Sequence, residues 1–254
     1  MSDVDPETVL IPGARDVRAS LDRARGSDHE RDGDHDRKSD HDRKSDHERE
    51  SDRDRKSDGA TACVVACPPH PQHGGTRHDG RLQAVSTTLR DRGVDCLRFD
   101  YGAWDGGPGE LADVRNALAW AGDRYDRVGL FGYSFGGCLA LVAAADHEAD
   151  AAASPVAAVS ALAPARRLTP DVDAAAAVDR IAVPLQVVYG TRDDTAEWEP
   201  VVEAARERTA DHGTDAVSLV ELEADHFFVG RTDRIGETAG SWLADRVETD
   251  SSGR

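Results

Sequence analysis

Three residue types, set at separate places in this chain, have the chemistry for nucleophilic attack on an acyl group. Gly132-Tyr133-Ser134-Phe135-Gly136 places a serine between two glycines, with the apolar run Val128 to Phe131 before it and an Ala/Leu-rich stretch after it. Strand, tight turn and helix in that order put the serine in a strained backbone conformation, with the glycines making room for the turn. Its Oγ then stands exposed at the N-terminus of the following helix, where free N–H groups and the helix dipole favour developing negative charge. Ser134 is the expected nucleophile. Further along, Gly190-Thr191-Arg192-Asp193-Asp194 follows the apolar run Leu185 to Tyr189, and Glu223-Ala224-Asp225-His226-Phe227-Phe228 follows Ala216 to Leu222. Serine, then acid, then histidine is the chain order that a serine on such a turn requires. His226 is expected to take the Ser134 proton and return it to the leaving group, and Asp193 to hold the other ring nitrogen and stabilise the imidazolium.

The remaining histidines fit the base less well. His29, His35, His41 and His47 lie in a polar repeat, and His147 and His212 near expected helix ends. His70, His73 and His78 lie near the loop after the first expected parallel strand, on the side where an oxyanion would be held.

Positioning such residues calls for a sheet whose strand ends converge, and the chain reads that way. Val9-Leu10-Ile11, the turn Pro12-Gly13 and Val17 to Leu21 predict an antiparallel edge hairpin. Ser27 to Asp58 is a degenerate hexad of the type Ser-Asp-His-Asp-Arg-Lys without one apolar residue, so it cannot offset its ordering entropy and is expected to be a disordered insert. A weak metal site on its histidines is the lesser reading beside a solvated linker. Strands are then expected at Thr61 to Cys67, Val94 to Phe99, the run before Ser134, Val156 to Leu162, Leu185 to Tyr189 and Ala216 to Leu222. Helices are expected at Arg81 to Arg92, along the stripe Leu111, Val114, Leu118 and Ala121, after Ser134, over Glu199 to Thr209, and as a closing helix lined by Ile235, Ala239, Trp242 and Leu243. Strand and helix alternate, which predicts right-handed crossovers and a mostly parallel α/β sheet covered on both faces. The expected organisation is 1–26 as N-terminal strands, 27–58 as the insert, 59–248 as the catalytic core and 249–254 as a disordered tail. Pro164 to Arg180 is too short for more than a minimal lid.

Composition narrows the partners. With 49 acidic against 31 basic residues and a net charge of −18, the chain repels nucleic acid and anionic membrane. Its three lysines, Lys38, Lys44 and Lys56, all fall in the repeat, and the acid excess resembles proteins of salt-loving microbes. Cys63, Cys67, Cys96 and Cys138 stand singly in apolar runs and read as buried small hydrophobes of a reducing compartment. The N-terminus shows no signal-peptide pattern and no apolar stretch reaches about 18 residues, so a soluble cytoplasmic protein is expected.

On His70-Pro71-Gln72-His73-Gly74-Gly75-Thr76, Leu97-Arg98-Phe99-Asp100-Tyr101, the Ser134 motif, Gly190-Thr191-Arg192-Asp193 and Ala224-Asp225-His226-Phe227-Phe228, the chain resembles the α/β-hydrolase superfamily. More narrowly it is similar to the small lidless members related to dienelactone hydrolase. The resemblance implies the α/β-hydrolase fold and a serine hydrolase acting on an ester, thioester or related small-molecule acyl substrate, with no metal and no cofactor. It selects Asp193 over Asp194, because the superfamily acid falls three residues after the glycine that ends its strand. Dienelactone hydrolase itself uses a cysteine where Ser134 stands, so its particular reaction is not carried over. An oxyanion hole needs two backbone N–H groups, one from Phe135 and one from the loop after the first parallel strand; Pro71 has none, which points to Gln72, with His73 next. Trp104 and Phe227 are the expected pocket walls. Arg166 and Arg167 are read as solvated counter-charges sooner than as a trap for an acidic substrate. The rival reading is a non-catalytic binding protein that kept the fold.

Overall fold

Strand after strand in this chain is apolar on both faces, and such strands are stable only inside a sheet with helices on either side. The computed structural model describes residues 5–15, 17–25, 60–147, 156–212 and 216–248. Among them, β3 (Ala62–Cys67), β4 (Asp95–Phe99) and β9 (Leu185–Gly190) are buried at every position, and β5 (Arg127–Tyr133) and β6 (Val156–Leu162) at all but one. With β1 (Glu7–Ile11), β2 (Val17–Asp22) and β10 (Val217–Leu222) they form one sheet in the order β1-β2-β4-β3-β5-β6-β9-β10. β1 and β2 are the antiparallel edge hairpin, with Val9 opposite Ala19, and β2 runs antiparallel to β4. From β4 to β10 every pairing is parallel.

One face is covered by α2 (Pro108–Gly122), α3 (Phe135–His147), α4 (Ala174–Val178) and α5 (Glu199–His212), whose Leu111, Val114, Leu139 and Val201 share a core with Val65 and Leu130. The other carries α1 (Gly80–Asp91), α6 (Thr232–Ile235) and α7 (Ser241–Glu248), where Leu82, Val85, Ile235 and Leu243 pack on Val64 and Phe131. Strand order reverses at β3, whose chain passes to β4 on one side while β5 lies on the other. At such a switch point the strand ends open a crevice, and the loops after β3 and β5 flank it.

Two segments carry detail beyond the expectation. The stretch Pro164 to Arg180 holds, besides the Ala-rich turn α4, a ribbon of β7 (Arg167–Thr169) and β8 (Val172–Asp173). Strands of three and two residues are too short to leave a periodic trace. The closing helix is present as expected and runs without a gap from α6 through a π-helical turn over Gly236–Gly240 into α7. A Cβ on Gly236 would meet Ala84 O at 2.8 Å and one on Gly240 would meet Thr88 Cβ at 2.8 Å, so the turn is where this segment lies directly against α1.

The hexad insert and the C-terminal tail lie outside the described residues. The flanks of the insert do not. Asp22 pairs with Cys96 and Cys63 with Asp95, which puts the end of β2 and the start of β3 at the N-terminal ends of the parallel strands, the edge opposite Ser134. Replacing Ser27 to Asp58 by a short Gly/Ser linker has to bridge the two strand spacings across β4, roughly 10 Å. Loop length changes closure entropy by only about 0.6 kcal/mol per doubling, so the shortened protein should be as stable as the parent or slightly more so. Its turnover on a small ester should stay within about tenfold. A larger loss in a folded variant would give the insert a part in catalysis.

Candidate active site

Ser134 has φ 56°, in the left-handed region that a non-glycine residue enters only when its surroundings dictate it. The glycines on either side are the condition for this. A Cβ on Gly132 would lie 2.2 Å from Gly136 O, and one on Gly136 would lie 2.3 Å from Cys67 O. The turn is pinned by the Ser134 N–H donating to Leu162 O at 2.8 Å and by the Ala165 N–H donating to Ser134 O at 3.1 Å. α3 starts at the next residue, its first closed bond running from Cys138 N–H to Ser134 O at 3.1 Å. The amides of Phe135, Gly136 and Gly137 therefore precede any intrahelical acceptor, directly after the serine in the chain.

The loops after β9 and β10 bring in the other two residues. His226 Nε2 lies 2.9 Å from Ser134 Oγ, and His226 Nδ1 lies 2.7 Å from Asp193 Oδ2. His226 and Asp193 are buried, whereas Asp194, one residue on, is exposed. The second oxygen of Asp193, Oδ1, accepts the Thr195 and Ala196 amides at 3.0 and 3.1 Å. Burial pushes the Asp193 carboxyl up, but the bonds from His226 and from these two amides outweigh it and hold the group below its ordinary value. An ionised carboxylate can only accept, so Nδ1 carries the ring proton and the Nε2 lone pair faces the Ser134 hydroxyl.

A carboxyl held low stabilises the fold at pH values above its unfolded value, and that stabilisation is lost as pH falls through the still lower folded value. The stability gap between the protein and Asp193→Asn should accordingly stay level near neutrality and narrow below about pH 5. Chemical denaturation at a series of pH values measures it, and a gap that widened in acid would reverse the assignment.

The loop after β3 forms a 3₁₀ turn over Pro71–His73, and the Gln72 N–H donates to His70 Nδ1 at 3.2 Å across its start. The Gln72 amide is thus engaged within its own loop, and its side chain is exposed. Tyr101 O–H to Pro68 O at 3.0 Å and Arg77 N–H to Asp100 Oδ1 at 2.7 Å tie this loop to the one after β4. His70 lies between His73, at 4.4 Å, and Trp104, at 4.6 Å, with Phe135 at 5.0 Å. Trp104 is 40% exposed beside Phe135, and Phe227, 57% exposed, meets the His226 ring edge-on at 5.6 Å. Trp104 therefore packs beside Phe135, the residue after Ser134, and Phe227 beside His226, from different loops.

Sequence reasoning passed over the residues that hold these loops. Glu110, fully buried, accepts the Asp105 and Gly107 amides at 2.8 and 2.7 Å, and Asp113 accepts the Gly102 amide at 2.9 Å. Arg15, from the β1–β2 turn, neutralises both acids, with Nε 2.9 Å from Asp113 and Nη2 3.5 Å from Glu110. Pro108 at a helix start with Glu110 two residues later was the available signal for a first-turn acid. Arg166 lies 3.9 Å from Glu197 at the surface. No group of histidine, cysteine and acidic residues suited to a metal ion occurs among the described residues, and no helix among them is long and apolar enough to cross a membrane. All four cysteines are buried and free.

Comparison with known proteins bears on the family and the fold. The model of the dienelactone hydrolase family matches residues 107–244. Among solved structures, an α/β serine hydrolase homologue from Coxiella burnetii superimposes with a TM-score of 0.67 at 22% identity, over 96% of this chain and 100% of that one. A serine hydrolase without a lid from Xanthomonas campestris gives 0.63 at 19% identity, over 94% and 95% of the two chains. Dienelactone hydrolase from Anabaena variabilis gives 0.60 at 21% identity, over 96% and 100%. At these identities the likeness is one of fold, the lidless α/β-hydrolase fold. Comparison of the sequence with curated proteins gives no match.

Proposed function

This chain belongs to the dienelactone hydrolase family, and from that membership we propose that it is a serine hydrolase cleaving an ester, thioester or related activated acyl bond through an acyl-Ser134 intermediate. The observation that carries the reading is the unbroken line from Ser134 Oγ through the His226 ring to Asp193, with bonds of 2.9 and 2.7 Å. His226 Nε2 takes the hydroxyl proton as Oγ attacks the acyl carbon, and the ionised Asp193 stabilises the imidazolium that forms. The proton passes to the departing alcohol or thiol. Water then enters, gives a proton to Nε2 and attacks the acyl carbon, and the collapse of that second intermediate returns the proton to Oγ.

Negative charge on the carbonyl oxygen meets the Phe135 N–H at the start of α3. Gln72 is the proposed second donor. Its 3.2 Å bond to His70 Nδ1 is long enough to be exchanged for a charged oxygen when substrate binds. Trp104 and Phe227 line the approach, and no cofactor is required. With only the β7–β8 ribbon and α4 between β6 and β9, the crevice is open and suits a small-molecule acyl donor.

A fluorophosphonate probe should label the native protein at Ser134, read as a mass shift on the peptide that contains it. Failure to label would leave the non-catalytic reading in possession. A panel of short- and long-chain esters and thioesters then sorts the acyl preference.

A further inference from the structure

The base in this site rides on an irregular loop that is anchored in the core by Phe228 but whose neighbouring residues Asp225, Phe227 and Val229 are exposed. Phe228 takes φ 50° and Gly230 φ 69°. The Phe227 and Phe228 amides bond back to Asp225 within the loop, at 3.1 and 3.3 Å. Two side chains from outside it close on successive carbonyls. Tyr133 O–H donates to His226 O at 2.9 Å, and Arg81 Nη1 donates to Phe227 O at 2.9 Å.

Tyr133 is the residue directly before Ser134, so one peptide bond joins the nucleophile to the group that grips the base's backbone. Arg81 is itself fixed. Its Nε donates to Asp79 Oδ1 at 2.9 Å, Asp79 also caps the start of α1, and the guanidinium lies over the Tyr133 ring at 4.4 Å. The guanidinium uses its fork on three partners at once: carboxylate, carbonyl and aromatic face. An ammonium on a flexible stem cannot match that. Burial pushes the Tyr133 hydroxyl up to about 12, against the opposing pull of Arg81, so it remains a proton donor at neutral pH.

We propose that Tyr133 and Arg81 are positioning residues for the general base, a two-point clamp that sets the His226 ring within reach of both Ser134 and Asp193. Both act through backbone carbonyls, at His226 O and Phe227 O. They fix the backbone from which the ring hangs, and a displacement of about 1 Å in such a group is enough to cost roughly a hundredfold in rate. Asp79 holds the clamp from behind.

The kinetic side of this inference rests on the acyl-transfer reading; its spectroscopic side does not. Tyr133→Phe, Arg81→Lys and Arg81→Ala are compared with the parent in three measurements: thermal unfolding, steady-state kinetics on the best ester of the panel, and proton NMR of the His226 Nδ1 proton that is hydrogen-bonded to Asp193. In folded variants kcat should fall about tenfold to a hundredfold with KM within about threefold. The downfield Nδ1 proton should broaden through faster exchange with water, and methylguanidine should restore part of the kcat of Arg81→Ala. A kcat within about twofold of the parent, with an unchanged Nδ1 proton in all three folded variants, overturns the clamp. A parent protein that turns over no ester or thioester removes the acyl-transfer reading instead, and the Nδ1 proton alone then decides the clamp.

Discussion

Ser134→Ala is expected to remove nearly all ester hydrolysis, leaving only the small residue that binding and the oxyanion donors supply, while the fold survives. Alanine keeps the Cβ that already sits at φ 56°, and the bonds that pin the turn are made by the backbone of residue 134, to Leu162 O and from Ala165 N–H. What disappears is the one oxygen 2.9 Å from His226 Nε2. Removing the nucleophile from a triad costs on the order of 10⁶ in kcat, because the partners act as a unit and no other group takes over the attack. The four cysteines, the other candidate nucleophiles, are buried, and burial pushes their thiols up, so none offers a thiolate to substrate. Turnover, fluorophosphonate labelling and intact mass after brief exposure to an activated ester measure the effect. Formation of an acyl-enzyme by the alanine variant would take Ser134 out of the mechanism.

The next largest effect separates two adjacent acids. Asp193→Asn should lower kcat by about 10⁴, while Asp194→Asn should change it little. Asp193 lies 2.7 Å from His226 Nδ1, and as a carboxylate it can only accept the ring proton. An asparagine amide turned toward Nδ1 would donate, so the proton would move to Nε2 and the lone pair that must receive the Ser134 proton would be lost. The Thr195 and Ala196 amides that bond to Oδ1 favour this orientation, since they need the remaining oxygen of the asparagine. Asp194 points to solvent and has no such part. Equal losses in the two variants, or the reverse order, would refute the assignment.

Both effects rest on the same construction. Ser134 is held by a turn, His226 by a loop and Asp193 by the mouth of β9, each at the C-terminal end of a different parallel strand. The sheet supplies the common frame, and the side chains of Tyr133, Arg81, Glu110 and Asp113 bind the irregular segments to it. Between β6 and β9 the chain places only the β7–β8 ribbon and α4.

Local physics made the frame legible in the amino-acid sequence. Fully apolar six-residue runs such as Ala-Cys-Val-Val-Ala-Cys, too short for a typical helix and stopped by Pro68-Pro69, favour a buried strand, and Gly132 and Gly136 mark where the chain approaches its own backbone too closely for a Cβ. The serine turn and the succession of acid and histidine at strand ends are likewise readable, since each depends on neighbours a few residues away. Tertiary structure alone decided the remainder. Tyr133 and His226 are 93 positions apart, and Arg81 and Phe227 are 146 apart. A side chain that caps a distant carbonyl leaves no periodicity or composition in the chain, because the acceptor is a backbone group that every residue has. Which partner a backbone group finds depends on how loops from separate strands pack at the sheet's end, and that is settled only when all of them are present.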